Sequence, residues 1–187
     1  MLRINETVPD FSTKAYHGGK FVDVKLSDFK GRWVAVVFYP ADFTFVCPTE
    51  LEDLQNHYAE FQKIGAEILS VSKDTEFVHK AWHDNSPAIG KITYPMLADP
   101  TGKLCKLFGT YIDEDGLSLR GTFLIDPTGK LKTIEIHDNS IGRSAKELLR
   151  KIQAAKFVSE NDGQVCPASW EPGKDTLTPG EDLVGKI

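Results

Sequence analysis

One cysteine in this sequence stands where a thiol could do chemistry. Cys47 follows an apolar run over residues 33–39 and precedes a segment with apolar residues at every third or fourth position. The run predicts a buried strand and the spacing predicts a helix. Pro48 and Glu50 suit the first turn of that helix, which places Cys47 at or beside its N-cap. Free backbone N–H groups and the positive end of the helix dipole favour a thiolate there, although most free cysteines are small buried hydrophobic residues.

The residues around Cys47 resemble a known family. The pattern Pro40-x-x-x-Thr44-x-x-Cys47 resembles the peroxidatic motif of the peroxiredoxins, and residues 38–50 as a whole are similar to the typical two-cysteine subgroup. The ending, residues 182–187, resembles that of bacterial members, and the likeness covers essentially the whole chain. The resemblance implies a thiol peroxidase of antioxidant defence, which reduces hydrogen peroxide and organic hydroperoxides through a Cys47 sulfenic acid.

The reaction also needs a positive charge beside the sulfur. Arg120 begins a predicted strand over residues 120–126 and matches the active-site arginine of the family. Its rigid fork of donors can contact the sulfur and a peroxide together. Arg32 and Arg143 compete with Arg120 by charge, but only Arg120 has the family context.

Three further residues complete the predicted site. Thr44 can place its hydroxyl in the pocket to orient the peroxide. Pro40 is expected to wall the pocket and exclude water, and it brings no competing N–H. Glu50 has two equal interpretations, since it can orient Arg120 or cap the helix.

Cys166 matches the resolving cysteine of the family, whose thiol attacks the sulfenic acid of the partner subunit to form an intersubunit disulfide. Cys105 has no family role and is expected to be structural. A disulfide requires Cα atoms within roughly 4.4–6.8 Å of each other. A cysteine in the first turn of a helix is not expected to meet that requirement while folded, so the turn near Cys47 and the segment around Cys166 are predicted to loosen in each cycle.

Composition narrows the function classes. With 187 residues the chain can bury a full core. A net charge of −5 without a basic stripe argues against nucleic acid, and no apolar stretch predicts a membrane span or signal peptide. We therefore expect a cytoplasmic location. In that compartment the cysteines are expected to have a redox role and not to form structural disulfides.

No cofactor is expected. The sequence shows no dinucleotide-binding fingerprint, so a separate protein must reduce the disulfide, and the resemblance implies a flavoprotein disulfide reductase or a thioredoxin-type protein. His79 and His83 share a helix face and could grip a metal ion, but without a third ligand they are predicted to be two surface histidines.

The predicted elements form an α/β sandwich. In chain order they are a hairpin over residues 11–26, a βαβ unit with a helix from Cys47 to Gly65 and a strand over 66–72, a helix over 75–84, a hairpin over 122–137 and a helix over 143–158. With the resemblance, this implies a thioredoxin-like fold with an N-terminal β-hairpin extension and an extended C-terminal arm. Residues 1–159 are predicted to form the domain and residues 160–187 an extended C-terminal arm, whose apolar residues, such as Trp170 and Val184, a partner subunit would bury.

The resemblance also implies a homodimer, paired through the edge strand within residues 130–137, and a ring of five dimers. Two other classes stay open on the residues alone. A thiol-transfer protein on the same fold would require a Cys-x-x-Cys motif. The segment Cys47-Pro48-Thr49-Glu50 lacks the second cysteine of that motif. A non-enzymatic scaffold would fit the arm and the edge strand, but it leaves Thr44 and Arg120 unexplained.

Overall fold

The computed structural model describes residues 2–186, and its contacts divide the chain into two compact units between Ala145 and Lys146. The boundary predicted between residues 159 and 160 follows a change in composition and stays a prediction. No helix in the described part of the chain is both long and apolar enough to cross a bilayer.

The first unit is built on a seven-stranded sheet with the order β2-β1-β5-β4-β3-β8-β9. Its strands are β1 Ser12–His17, β2 Lys20–Lys25, β3 Trp33–Phe38, β4 Ala66–Ser72, β5 Met96–Ala98, β8 Arg120–Ile125 and β9 Leu131–His137, and a separate pair is formed by β6 Tyr111–Ile112 and β7 Leu117–Ser118. The helices of this unit are α1 Cys47–Asn56, α2 Tyr58–Lys63, α3 Glu76–Asn85 and α4 Lys103–Phe108.

The predicted βαβ unit and both hairpins are confirmed. Strands β3 and β4 are parallel, as a helical crossover between them requires. Gly18 and Gly19 have φ angles of 57° and 78°, which the two-residue turn between β1 and β2 demands. Strand β9 pairs antiparallel with β8 and forms one edge of the sheet.

The prediction of one continuous helix from Cys47 to Gly65 is wrong, because the structure has two helices there. His57, with φ −101° and ψ 2°, separates α1 from α2. Its ring Nδ1 lies 2.9 Å from the carbonyl oxygen of Asp53, so the side chain bonds backbone that a continuous helix would use. Gly65 follows α2 with φ 79°, the left-handed conformation predicted for the residue that ends it.

An apolar cluster on the sheet forms the core of the first unit. Three rings meet there, with centroid distances of 5.1 Å for Phe38–Phe108, 4.8 Å for Phe108–Phe123 and 5.7 Å for Phe38–Phe123. Such aromatic contacts stabilise a core beyond the area they bury. Cys105 is fully buried in the same cluster, which agrees with a structural role.

The second unit contains α5, Ala145–Glu160, from its second residue onward, followed by turns and one short bridge between Val165 and Leu177. Trp170 is buried, its ring centroid lies 5.0 Å from that of Phe157, and its Nε1–H donates to the carbonyl of Lys174 at 3.0 Å. The expectation that a partner subunit buries Trp170 is therefore wrong, because Trp170 packs within its own unit. Val184 remains exposed.

Candidate active site

Cys47 is the first residue of α1, with Val46 as the N-cap and Pro48 in the first turn. Pro48 and Glu50 therefore stand one position deeper in the helix than predicted. The Cys47 side chain is fully buried. The start of α1 thus holds the thiol where the helix dipole is positive and water is excluded.

Arg120 reaches the sulfur from the start of β8. Strands β3 and β8 are antiparallel, with Val37 opposite Thr122, so Arg120 lies at the end of β3 from which the chain runs on to Cys47. The buried guanidinium donates from Nη1 to Cys47 Sγ at 3.4 Å and from Nε to the carbonyl of Asn139 at 2.9 Å. The alternative of a surface arginine at a strand end is excluded by this burial.

Glu50 binds Arg120, as one of the two interpretations from the sequence expects. Its Oε2 accepts from Arg120 Nη1 at 2.6 Å, while α1 has no side-chain hydrogen bond at its N-cap. Arg143 binds the same carboxylate, donating from its backbone N and its Nε to Oε1, both at 2.8 Å, and from Nη2 to Oε2 at 3.0 Å.

The electrostatic consequence is a surplus of positive charge at the sulfur. Burial by itself raises the pKa of Glu50, but the hydrogen bonds and charge of Arg143, followed by the charge of Arg120, outweigh it and lower that pKa. Glu50 is therefore ionised, and two guanidinium groups share one carboxylate. The three groups together therefore carry one net positive charge, and the guanidinium of Arg120 contacts the Cys47 sulfur.

Arg143 is the site residue that the sequence did not identify. It is separated from Glu50 by 93 positions, and no spacing rule relates the two. Charge alone had named Arg143 and Arg32 as competitors of Arg120. Arg32 lies elsewhere, with its Nη1 3.2 Å from Glu67 Oε2, so Arg143 joins the site and Arg32 does not.

Thr44 and Pro40 lie in the loop between β3 and α1. The Thr44 hydroxyl donates to the carbonyl of Ala41 at 2.8 Å, which leaves its oxygen available to accept a hydrogen bond. Pro40 is buried where the loop begins. Phe43, between them, is exposed and has a φ of 56°, which is uncommon for a residue with a side chain.

Cys166 belongs to the second unit. It is half-buried, and its Sγ lies 3.8 Å from the carbonyl oxygen of Ala154. Burial raises the pKa of this thiol and the charge of Arg150 partly offsets that effect. Cys47, Cys105 and Cys166 are all free thiols in this structure.

The prediction of two surface histidines on α3 is wrong. His79 is fully buried, with Nδ1 2.7 Å from Asp42 Oδ2 and Nε2 3.0 Å from the carbonyl oxygen of Leu97. His83 is partly buried, and its Nε2 lies 3.2 Å from the carbonyl oxygen of Ile92. Trp82, on the same helix, is buried. Within residues 2–186, no group of three or more histidine, cysteine or carboxylate side chains could hold a metal ion.

The sequence of this chain matches two protein-family models and is similar to several known proteins. Residues 4–134 match the AhpC/TSA family, and residues 154–186 match the C-terminal domain of 1-Cys peroxiredoxin. Alkyl hydroperoxide reductase C of Pseudomonas aeruginosa is 51% identical over 187 residues, and that of Bacillus subtilis is 53% identical over 187 residues, each covering 100% of both chains. The chain therefore belongs to the AhpC/TSA family.

Solved structures agree. A crystal structure of Enterococcus faecalis AhpC has a TM-score of 0.86 at 50% identity and covers 89% of this chain and 100% of its own. A reduced 2-Cys peroxiredoxin of Plasmodium vivax has a TM-score of 0.91 at 35% identity, with 96% and 94% covered. The expected fold, a thioredoxin-like sandwich with helices on a central sheet, is confirmed.

Proposed function

We propose that this protein is a thiol peroxidase that reduces hydrogen peroxide and organic hydroperoxides with Cys47 as the peroxidatic residue. The observation that carries the proposal is the 3.4 Å contact between Arg120 Nη1 and Cys47 Sγ, held by a carboxylate that a second arginine also binds. A cation fixed at a buried sulfur at a helix N-terminus activates a thiolate nucleophile.

In the first step the Cys47 thiolate attacks one peroxide oxygen. An S–O bond forms, the O–O bond breaks, and the second oxygen leaves with its electron pair and takes up a proton as water or an alcohol. The sulfur is oxidised to sulfenic acid and the peroxide is reduced. Arg120 stabilises the charge on both partners, Thr44 accepts a hydrogen bond from the peroxide, and Pro40 excludes water.

In the second step the Cys166 thiolate of a partner subunit attacks the sulfenic sulfur. The S–S bond forms as hydroxide leaves and is protonated to water. Cys47 is fully buried in the first turn of α1, so that turn must open before the disulfide can form. The match of residues 154–186 to a peroxiredoxin C-terminal domain supports a functional role for this part of the chain.

A separate disulfide reductase then restores the two thiols. A flavoprotein disulfide reductase or a thioredoxin-type protein supplies the electrons, and this chain uses no cofactor of its own. We place the cycle in the cytoplasm, where the free thiols of the reduced protein would persist.

The enzyme acts as a homodimer and assembles into a ring of five dimers. Strand β9 is an edge of the sheet, and beyond Leu131, whose backbone bonds residues 5 and 6, a second copy can extend it. Phe21, Phe43 and Phe77 are exposed, and the rings of Phe21 and Phe77 lie 4.8 Å apart. An exposed aromatic patch of this kind is typical of a protein interface.

Peroxide consumption by Cys47→Ser tests the assignment. The wild-type protein with a dithiol reductant should consume hydrogen peroxide, and Cys47→Ser should not, while Cys105→Ser should match the wild type. If the protein were a non-enzymatic scaffold, neither substitution would change peroxide consumption. Equal peroxide loss with the wild type and with Cys47→Ser would therefore refute the proposed activity.

A further inference from the structure

Arg150 on α5 makes contacts that the reaction described above does not use. Its Nε and Nη2 donate to the two carboxylate oxygens of Glu147, each at 2.8 Å. Its Nη1 donates to the backbone carbonyl of Trp170 at 3.0 Å. One guanidinium therefore pairs with a carboxylate on its own helix and also binds the segment that follows Cys166.

The same side of α5 carries the contact of Cys166. Arg150 and Ala154 are four positions apart, so they lie on one side of the helix. Cys166 Sγ lies 3.8 Å from the carbonyl oxygen of Ala154, and the Trp170 N–H donates to the carbonyl of Pro167 at 3.2 Å, which turns the chain back towards the helix. The segment around Cys166 is therefore held on α5 at two points, one turn of the helix apart.

Trp170 keeps this segment in place. Its ring centroid lies 5.0 Å from that of Phe157 on α5, and its Nε1–H donates to the carbonyl of Lys174 at 3.0 Å. The Arg150 side chain that reaches its carbonyl retains 26% of its exposed surface. Because the guanidinium is partly withdrawn from water, its charge is screened less than that of a fully exposed side chain.

The charge of Arg150 acts on the Cys166 thiol. Burial raises the pKa of this thiol, and the charge of Arg150 lowers it in part. The hydrogen bonds and charge of Glu147, followed by the charge of Glu171, raise the pKa of Arg150 itself, so the guanidinium stays protonated. The charged groups around Arg150 are Glu147 and Lys151 on α5, and Glu171 and Lys174 after Cys166.

We propose that Arg150 is a positioning residue for the second step of the cycle, which holds the segment around Cys166 on α5 and favours ionisation of its thiol there. The proposal rests on the proposed function. In that step the Cys166 thiolate attacks the sulfenic sulfur of the partner's Cys47, the S–S bond forms, and hydroxide leaves and is protonated to water. The thiolate and not the thiol is the nucleophile, so a cation beside Cys166 speeds this step at neutral pH.

Two substitutions in one ion pair separate the charge of Arg150 from a purely structural role. Arg150→Leu removes the cation. Glu147→Gln removes the charge that offsets the cation, while the new amide oxygen can still accept from Arg150. If the pair only held the segment on the helix, both changes would weaken it and would shift the second step in the same direction. If the charge acts on the thiol, the two changes have opposite effects.

Two further variants complete the set. Arg150→Lys keeps the positive charge and should restore the wild-type rate. Arg32→Leu is the matched control, since it breaks an arginine–glutamate pair with Glu67 in the other unit. Rapid acid quench after one equivalent of hydrogen peroxide, followed by a non-reducing gel, measures the rate at which the covalent dimer forms.

Arg150→Leu should slow dimer formation about 2- to 5-fold at neutral pH, the effect of one partly exposed charge, and Glu147→Gln should speed it. A lower pKa makes a thiolate less nucleophilic, but the gain in thiolate fraction is larger. Iodoacetamide labelling of Cys166 in a Cys47→Ser background should follow the same order. The differences in labelling should disappear at a pH where the thiol is fully ionised, which a purely structural role does not predict.

An unchanged or faster second step in Arg150→Leu would overturn the proposal. Slowing by Glu147→Gln as well, or an Arg150→Lys variant as slow as Arg150→Leu, would also overturn it. If Arg150→Leu does not fold, Glu147→Gln decides, because an unchanged or slower second step in that variant contradicts the proposal. A wild-type protein that consumes no peroxide would instead refute the peroxidase activity, and one that consumes peroxide without forming a covalent dimer would refute the proposed resolving step.

Discussion

Three side chains from distant parts of the chain set the charge around the Cys47 sulfur. Glu50 holds Arg120 against the sulfur, and Arg143 holds Glu50. Removing one partner of a buried ionic group leaves the others without their fixed geometry. We therefore expect the reactivity of Cys47 to depend on how rigidly these charges are held.

Arg143→Ala should slow Cys47 oxidation by about 10- to 100-fold, because Glu50 would lose both hydrogen bonds from the Arg143 side chain and Arg120 its fixed orientation. Rapid-mixing kinetics with hydrogen peroxide measures this rate. Arg32→Ala is the matched control, since Arg32 pairs with Glu67 away from the sulfur. Equal losses in both variants would show that Arg143 contributes only general stability.

Cys105 should resist alkylation in the folded protein. Burial raises its pKa to about 12, with a further contribution from Asp99, whose Oδ2 accepts the Cys105 backbone N–H at 2.8 Å. Peptide mass spectrometry after iodoacetamide at mildly alkaline pH should find Cys166 modified and Cys105 intact, and all three cysteines modified after unfolding. Native labelling of Cys105 as fast as Cys166 would contradict its structural role.

At the scale of elements, the junction between β3 and α1 joins a buried strand to a segment that the proposed cycle requires to move. Strand β3 is buried along its whole length, between β4 and β8. The first turn of α1 holds a fully buried thiol that, in the proposed cycle, has to reach a second cysteine. Opening must therefore be confined to the loop and the turn beside it.

Hydrogen exchange should detect this opening. Conversion to the disulfide form should increase amide exchange in the first turn of α1 and around Cys166, because the disulfide geometry cannot form while that turn is folded. Strand β3 provides an internal control whose exchange should not change. The same protection of the α1 turn in both redox forms would show that no unwinding occurs.

At the scale of the whole molecule, the proposed cycle needs a second copy of the chain. One equivalent of hydrogen peroxide should shift the reduced wild-type protein to a covalent dimer on a non-reducing gel. Cys166→Ser should stay monomeric, since its Cys47 sulfenic acid has no thiol to attack it, and Cys105→Ser should dimerise like the wild type. A covalent dimer of Cys166→Ser would assign resolution to another cysteine.

The structural elements that depend only on residues close in the sequence could be predicted from the sequence. Alternation, apolar runs and the Gly18-Gly19 turn predicted the hairpins and the βαβ unit, because period and turn chemistry are local properties. The motif around Cys47 predicted the start of α1 and indicated the family. The break at His57 was missed, since a single ring-to-carbonyl contact leaves no period in the sequence.

Residues whose partners lie far along the chain needed the tertiary structure. The sequence by itself determined the type of the elements, the cysteine at a helix start and the arginine at the start of β8. Only the tertiary structure decided that Glu50 binds two arginines, that Arg143 rather than Arg32 joins them, and that His79 is buried on Asp42. The physical reason is that hydrogen bonds and ion pairs depend on distances in space, and the packing of strands and helices sets those distances independently of separation in the sequence.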